Sequence, residues 1–158
     1  MSRNHITAYT DGSATTKNEK LGGFGVYVIE EDGTEHFYSE GWKNTKTGRM
    51  EVKGMIKCLQ MITDKEALVH IYCDSEYVVK CVSDRRLWKW KRNLWMGIAN
   101  PDLIIQYYEE YTKFKIGPKV CHIKGHTKNE DVHSLGNAIV DKLANFKNQT
   151  EYKQDLIE

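Results

Sequence analysis

The sequence predicts one mixed α/β domain over residues 1–158, a five-stranded mixed sheet flanked by helices. Three observations carry that expectation. Three β-rich stretches follow one another through short links, as in an antiparallel meander. After residue 50 the apolar spacing changes from strand-like to helix-like. From there strands alternate with helices, which is how parallel strands are added to a sheet.

Ile6 to Asp11 reads as the first strand and Gly12 to Leu21 as a polar loop. Gly22 to Glu30 is β-branched and aromatic, and Asp32-Gly33 is a hairpin turn signal leading into a third strand at Thr34 to Lys43. Met55, Ile56, Leu59 and Ile62 recur at helical spacing within Met50 to Thr63. Leu68 to Cys73 is a fourth strand, and Ser75 to Ser83 a helix with Ser75 as its cap. Asn100-Pro101-Asp102 starts a helix whose apolar face is Leu103, Ile104, Tyr107, Tyr108 and Tyr111. Lys119 to Ile123 is a fifth strand, and Asn137 to Phe146 a last helix.

Composition narrows the function classes. A formal net charge of +1 excludes a polycation, so nucleic-acid binding requires basic residues concentrated on one surface. The four cysteines, Cys58, Cys73, Cys81 and Cys121, form no C-x-x-C pair, which argues for buried reduced thiols over zinc ligation. No apolar run is long enough to span a bilayer, so a soluble, cytoplasmic protein without a membrane partner is expected.

Asp11 and Asp74 stand at the ends of apolar strands, where open α/β sheets place their active sites. Glu51 falls in the first turn of the first helix and Asp141 within the last. Converging carboxylates repel, and a bound cation is the usual compensation; magnesium takes such hard oxygen ligands. Taken singly, each acid reads equally well as a cap, a turn residue or a complement to a helix dipole.

The sequence around each acid adds more. YTDGSA (Tyr9 to Ala14), GRME (Gly48 to Glu51), YCDSEYVV (Tyr72 to Val79), IKGHT (Ile123 to Thr127) and the D-x-L-A of Asp141 to Ala144 occur in that order. Together with GGFGVYV at Gly22 to Val28, the set resembles type 1 ribonuclease H, the stand-alone bacterial and viral form. The resemblance implies the RNase H-like fold and an endonuclease that cuts the RNA strand of RNA–DNA hybrids, leaving 5′-phosphate and 3′-hydroxyl ends. It implies Asp11, Glu51, Asp74 and Asp141 as catalytic ligands of two Mg2+ ions, with Mn2+ as a substitute. His126 takes the place of the family's catalytic histidine, with His133 as a neighbouring candidate. The implied substrate contacts are Gly12, Ser13, Asn18, Lys46, Thr47 and Gly48, with Trp90, Lys91, Arg92 and Trp95 from the basic, tryptophan-bearing segment Asp84 to Met96. A monomer is expected.

Several departures stand out. Lys46, Thr47 and Gly48 replace the family's threonine and asparagines, and Glu76 replaces a glutamine. The loop between His126 and Asp141 is expected to be longer than usual by the stretch around Asp131 to Leu135. Two other readings are an integrase or proofreading exonuclease of related fold, and a non-catalytic hybrid-binding module. The first lacks a zinc-binding domain and a first motif with two acids separated by one residue. The second is disfavoured because all four acids are present.

Overall fold

The computed structural model describes residues 3–17, 20–123 and 132–155. Strands β1 (His5–Ala14), β2 (Gly22–Ile29) and β3 (Glu35–Lys43) form the expected antiparallel meander, with Asp11 opposite Gly25 and Val26 opposite Tyr38. β4 (Leu68–Cys73) joins β1 in parallel, and β5 (Lys119–His122) joins β4 in parallel. The sheet has six strands, not five. β6 (Tyr152–Gln154) pairs in parallel with Gly41 to Lys43, giving the order β5-β4-β1-β2-β3-β6. Three residues carry no periodic pattern that would reveal a strand; backbone pairing to β3 makes this one.

The helices are α1 (Thr47–Met61), α2 (Glu76–Ser83), α3 (Arg86–Arg92), α4 (Pro101–Tyr111) and α5 (Val132–Ala144). Three boundaries differ from the sequence reading by three residues or more. β1 continues past Asp11 to Ala14, because Gly12 to Ala14 find partners in Gly22 to Phe24. α1 starts at Thr47, so Glu51 sits just beyond its first turn. α5 starts at Val132, so residues 132–135 belong to a helix and not to a long loop. Asn100 precedes α4 with φ 52° but makes no side-chain cap; its side chain accepts from Arg49 instead.

The two sheet faces are covered unequally. Alternation along β1 turns Ile6 and Ala8 to one side and Tyr9 to the other. The first side carries the main core, where Met50, Met55 and Leu59 of α1 meet Phe24, Val26 and Ile71. The second side holds a small cluster of Tyr9, Tyr27 and Val140 under α5. Cys58, Cys73 and Cys81 are buried free thiols as expected, while Cys121 is half-buried. No helix among the described residues is long and apolar enough to cross a membrane.

Candidate active site

β1 and β4 stay paired only as far as Tyr9 and Tyr72. β4 then stops at Cys73, while β1 runs on through Asp11. Beyond the end of the shorter strand, groups from both faces of the sheet meet. Asp11 is 7% exposed and shares the α5 side of β1 with Tyr9. Asp74 follows β4 directly and is half-buried, as is Glu51 on α1, whereas Asp141 on α5 is exposed.

The four acids are linked electrostatically. The Asp11 carboxyl is pushed up to about 8, first by burial, then by the charge of Asp74 and a hydrogen bond with Asp141. Two carboxyls share a hydrogen bond only when one holds a proton. The Gly12 backbone N–H, 2.8 Å from Asp11 Oδ1, partly offsets this by donating to the charged form. Glu51 is pushed up to about 7, mainly by burial and further by Asp74, while a hydrogen bond from the Ser75 hydroxyl acts in the opposite sense. The acids therefore run as a chain from Asp141 through Asp11 and Asp74 to Glu51.

Ser75 does two things. Its hydroxyl oxygen accepts from the Val78 backbone N–H at 3.2 Å, capping α2, and its proton goes to Glu51. The cap was legible in the sequence; the bond to Glu51 was not. The donor set is one of hard oxygens, and two carboxyls raised by burial and by the charge of Asp74 have the chemistry that a divalent cation relieves. Among the described residues, however, no three His, Cys, Asp or Glu side chains are already gathered in a geometry that could hold an ion.

The RNase H family model matches residues 3–149. The chain belongs to the ribonuclease H family. It is 37% identical over 105 residues to Ribonuclease HI of Synechocystis sp., an alignment covering 63% of this chain and 64% of that protein. It is 32% identical over 147 residues to Ribonuclease H of Trichodesmium erythraeum, covering 90% and 87%. Among solved structures, LC11-RNase H1, crystallised with an RNA/DNA hybrid, superposes with a TM-score of 0.60 at 23% identity, over 88% of this chain and 93% of that one. The protein is thus a ribonuclease H, a hydrolase, and its fold is that of the family. β6 lies beyond the family match.

In this ribonuclease H the glycine after the first acid has a packing role. A Cβ on Gly12 would stand 2.4 Å from the Glu51 backbone nitrogen and the Met50 carbonyl carbon. Its missing side chain lets the backbones of β1 and α1 touch at Glu51; its N–H is already taken by Asp11. Ser13 donates its hydroxyl to the Ala144 carbonyl at 2.7 Å. Lys46 and Thr47 are exposed at the start of α1, and a Cβ on Gly48 would meet open space. Asn18 and His126 lie outside the described residues. His133 is turned inward, its Nδ1 hydrogen-bonded to the Tyr9 hydroxyl at 3.0 Å.

The basic segment forms α3 and the turn after it. Leu87 is fully buried, while Trp90 and Trp95 are half-buried, Trp90 against Tyr77 and Trp95 edge-on to Tyr108. Their rings thus anchor the segment and remain partly exposed. Arg92 is exposed, and the Lys91 ammonium reaches the Tyr108 hydroxyl at 3.1 Å. Glu76 sits exposed at the start of α2, 3.9 Å from Lys80.

One residue near the site escaped the sequence reading. Arg49, two positions before Glu51, is 2% exposed and donates to Asp155 at 2.8 and 2.9 Å and to Asp102 at 2.8 and 3.1 Å. It ties α1 to α4 and to the residue following β6. Thr45 adds a 2.6 Å bond to Asp155. The Asp102 carboxyl is held below its ordinary value, chiefly by the bond from Arg49.

Proposed function

We propose that this ribonuclease H cuts the RNA strand of RNA–DNA hybrids as a monomer in the cytoplasm, using Asp11, Glu51, Asp74 and Asp141 to hold two Mg2+ ions. The observation that carries this reading is the raised state of Asp11 and Glu51, with Asp74 adding to both. Carboxyls placed where they cannot easily ionise are stabilised by a cation that replaces the proton. When bound, such ions would activate water and stabilise the leaving 3′-oxygen. Asp11 and Glu51 would hold the ions as carboxylates, giving up the protons that burial otherwise favours. Ser75 keeps Glu51 oriented throughout by its hydroxyl. Cleavage leaves a 5′-phosphate and a 3′-hydroxyl. His126 then moves a proton or assists product release.

Two surfaces read the two strands. Gly12, Ser13 and Gly48 meet the RNA strand, the open space over Gly48 leaving its backbone approachable, and Asn18, Lys46 and Thr47 are further substrate contacts. A protein tells RNA from DNA by hydrogen bonds to the 2′-hydroxyl. Trp90, Lys91, Arg92 and Trp95 meet the DNA strand through phosphate charge and aromatic faces. The hybrid seen bound to LC11-RNase H1, a protein of the same fold, supports this substrate class.

A divalent-dependent cleavage assay on labelled hybrid, RNA duplex and DNA duplex tests the reading. Cleavage is expected for the RNA of the hybrid alone. Absence of any metal-dependent cutting of hybrid would leave a binding module. In the same assay, Lys91→Ala with Arg92→Ala is expected to weaken hybrid binding and flatten its salt slope by up to about two, since each lost phosphate contact removes roughly one released counterion. An unchanged slope would take this segment off the substrate.

A further inference from the structure

β1 and α5 contribute two pairs of polar groups to the same interface. Tyr9 and Asp11 are two residues apart on the strand, so both project to the α5 side. His133 and Asp141 occupy the helix, about two turns apart. Asp11 shares a hydrogen bond with Asp141, and the Tyr9 hydroxyl is bonded to His133 Nδ1 at 3.0 Å.

The Tyr9–His133 pair is held from several directions. Tyr9 is 1% exposed and lies between Tyr72, with ring centroids 5.5 Å apart, and Tyr27, at 5.9 Å. The His133 ring rests on Tyr72 at 4.2 Å. One turn along α5, Gly136 lies directly over the Tyr9 ring; a Cβ there would stand 2.5 Å from its carbons. Val140, fully buried, continues the same helical stripe onto the cluster of Tyr9 and Tyr27. Apolar contact alone would fix the height of α5 above the sheet but would let it slide or turn. The Tyr9 bond to His133 fixes it at one end and the Ser13 bond to the Ala144 carbonyl at the other.

We propose that the Tyr9–His133 hydrogen bond is a positioning contact that sets α5, and with it Asp141, against Asp11, so that the acids need less rearrangement to gather around metal. The proposal rests on the reading of Asp141 as a metal ligand. His133 is then a positioning residue, acting through the strand that carries Asp11, and not an alternative to His126 in proton transfer.

The test is calorimetric titration of the metal-free protein with Mn2+, beside hydrogen exchange and hybrid cleavage. Tyr9→Phe and His133→Phe are each expected to weaken Mn2+ binding roughly three- to tenfold, the range of one intramolecular hydrogen bond. The double variant should be no worse than either single one, since the two groups act as a unit. His133→Asn keeps a polar atom near the place of Nδ1 and should recover part of the loss. Amides of α5 should exchange faster in Tyr9→Phe without metal, while those of α1 stay as they were. In cleavage, the half-activating Mg2+ concentration should rise by the same factor, with kcat at saturating metal within about twofold of the parent.

A merely structural bond would lower the thermal midpoint and leave Mn2+ affinity unchanged, which would overturn the proposal. Asp141→Asn separates the two levels. If it leaves Mn2+ affinity untouched, the reading of the acids fails and the proposal with it. If it weakens binding while Tyr9→Phe does not, only the positioning role falls. Should His133→Phe fail to fold, Tyr9→Phe decides, because it removes a single oxygen atom.

Discussion

On the α1 side of the sheet, Met50, Val52, Met55, Cys58 and Leu59 are buried without residual exposure, and the helix is further held by Arg49 inside a set of ion pairs. On the α5 side, the buried apolar cluster is Tyr9, Tyr27 and Val140, and Phe37 at the far end of the aromatic row is 52% exposed. Each side delivers one acid, Glu51 from α1 and Asp141 from α5, to the aspartates that the sheet carries between them. One half of the site is therefore bolted to the main core and the other is laid on a thin layer of rings and a glycine. Changes on the α1 side should act mainly on folding, and changes on the α5 side mainly on the alignment of the site.

Arg49→Ala should produce the largest loss. It leaves the Asp155 carboxylate, whose side chain has no solvent exposure, without its main partner. Breaking a buried pair in this way costs about 3–5 kcal/mol. Lys53, 3.9 Å from Asp155, and the Thr45 hydroxyl would moderate it. Chemical denaturation measures the loss, and a cost under about 1 kcal/mol would mean that the α1 side is not clamped as described.

The acids themselves should make the metal-free protein sensitive to pH. Asp11 titrates near 8 in the fold against an ordinary 3.8, and Glu51 near 7 against 4.5. Both values are raised, so the folded state holds these protons more tightly than the unfolded chain does. Their contribution to stability is complete below about pH 4 and is lost as pH rises toward about 8. The thermal midpoint without metal should fall across that window, and Mg2+ should restore it most at the upper end. Asp74→Asn should flatten the fall only in part, because burial is the larger cause. A midpoint independent of pH between 5 and 8 would contradict the raised values.

Gly136→Ala should cost less in stability, about 1–3 kcal/mol for forcing a methyl group into a filled space. Its effect on cleavage should exceed what the stability loss alone explains, since a shift of α5 moves Asp141 relative to Asp11. Cleavage measured well below the variant's melting temperature checks this. A fully active Gly136→Ala would mean that α5 tolerates displacement and that the two halves of the site are equally robust.

The parts of this site that could be read from the sequence were those with local signals. Asp11 and Asp74 stood out as polar residues ending apolar strands, and Ser75 as a cap. Glu51 and Asp141 had no local distinction, and only the ordered set of motifs around them gave them weight. The carboxylate partners of Arg49 lie 53 and 106 residues away, beyond the reach of any spacing argument. β6 hid because Tyr152 to Gln154 is short and polar. Gly12 follows an acid in the sequence, but nothing local shows that the space beside its Cα is filled by α1. His133 was noticed as a possible acid–base group, whereas the fold turns it onto Tyr9. In each of these cases the residue type was informative and its partner was not.

The central claim is that four linked acids hold the metal with which this ribonuclease H cuts hybrid RNA, and Asp74 is the acid that couples to both raised groups. The direct test is Asp74→Asn, assayed for cleavage of labelled hybrid in Mg2+ together with its metal-free thermal midpoint. The account predicts no detectable cleavage, hybrid binding retained, and a midpoint equal to or above that of the parent because a repelling charge has gone. Cleavage at the parent rate would contradict it.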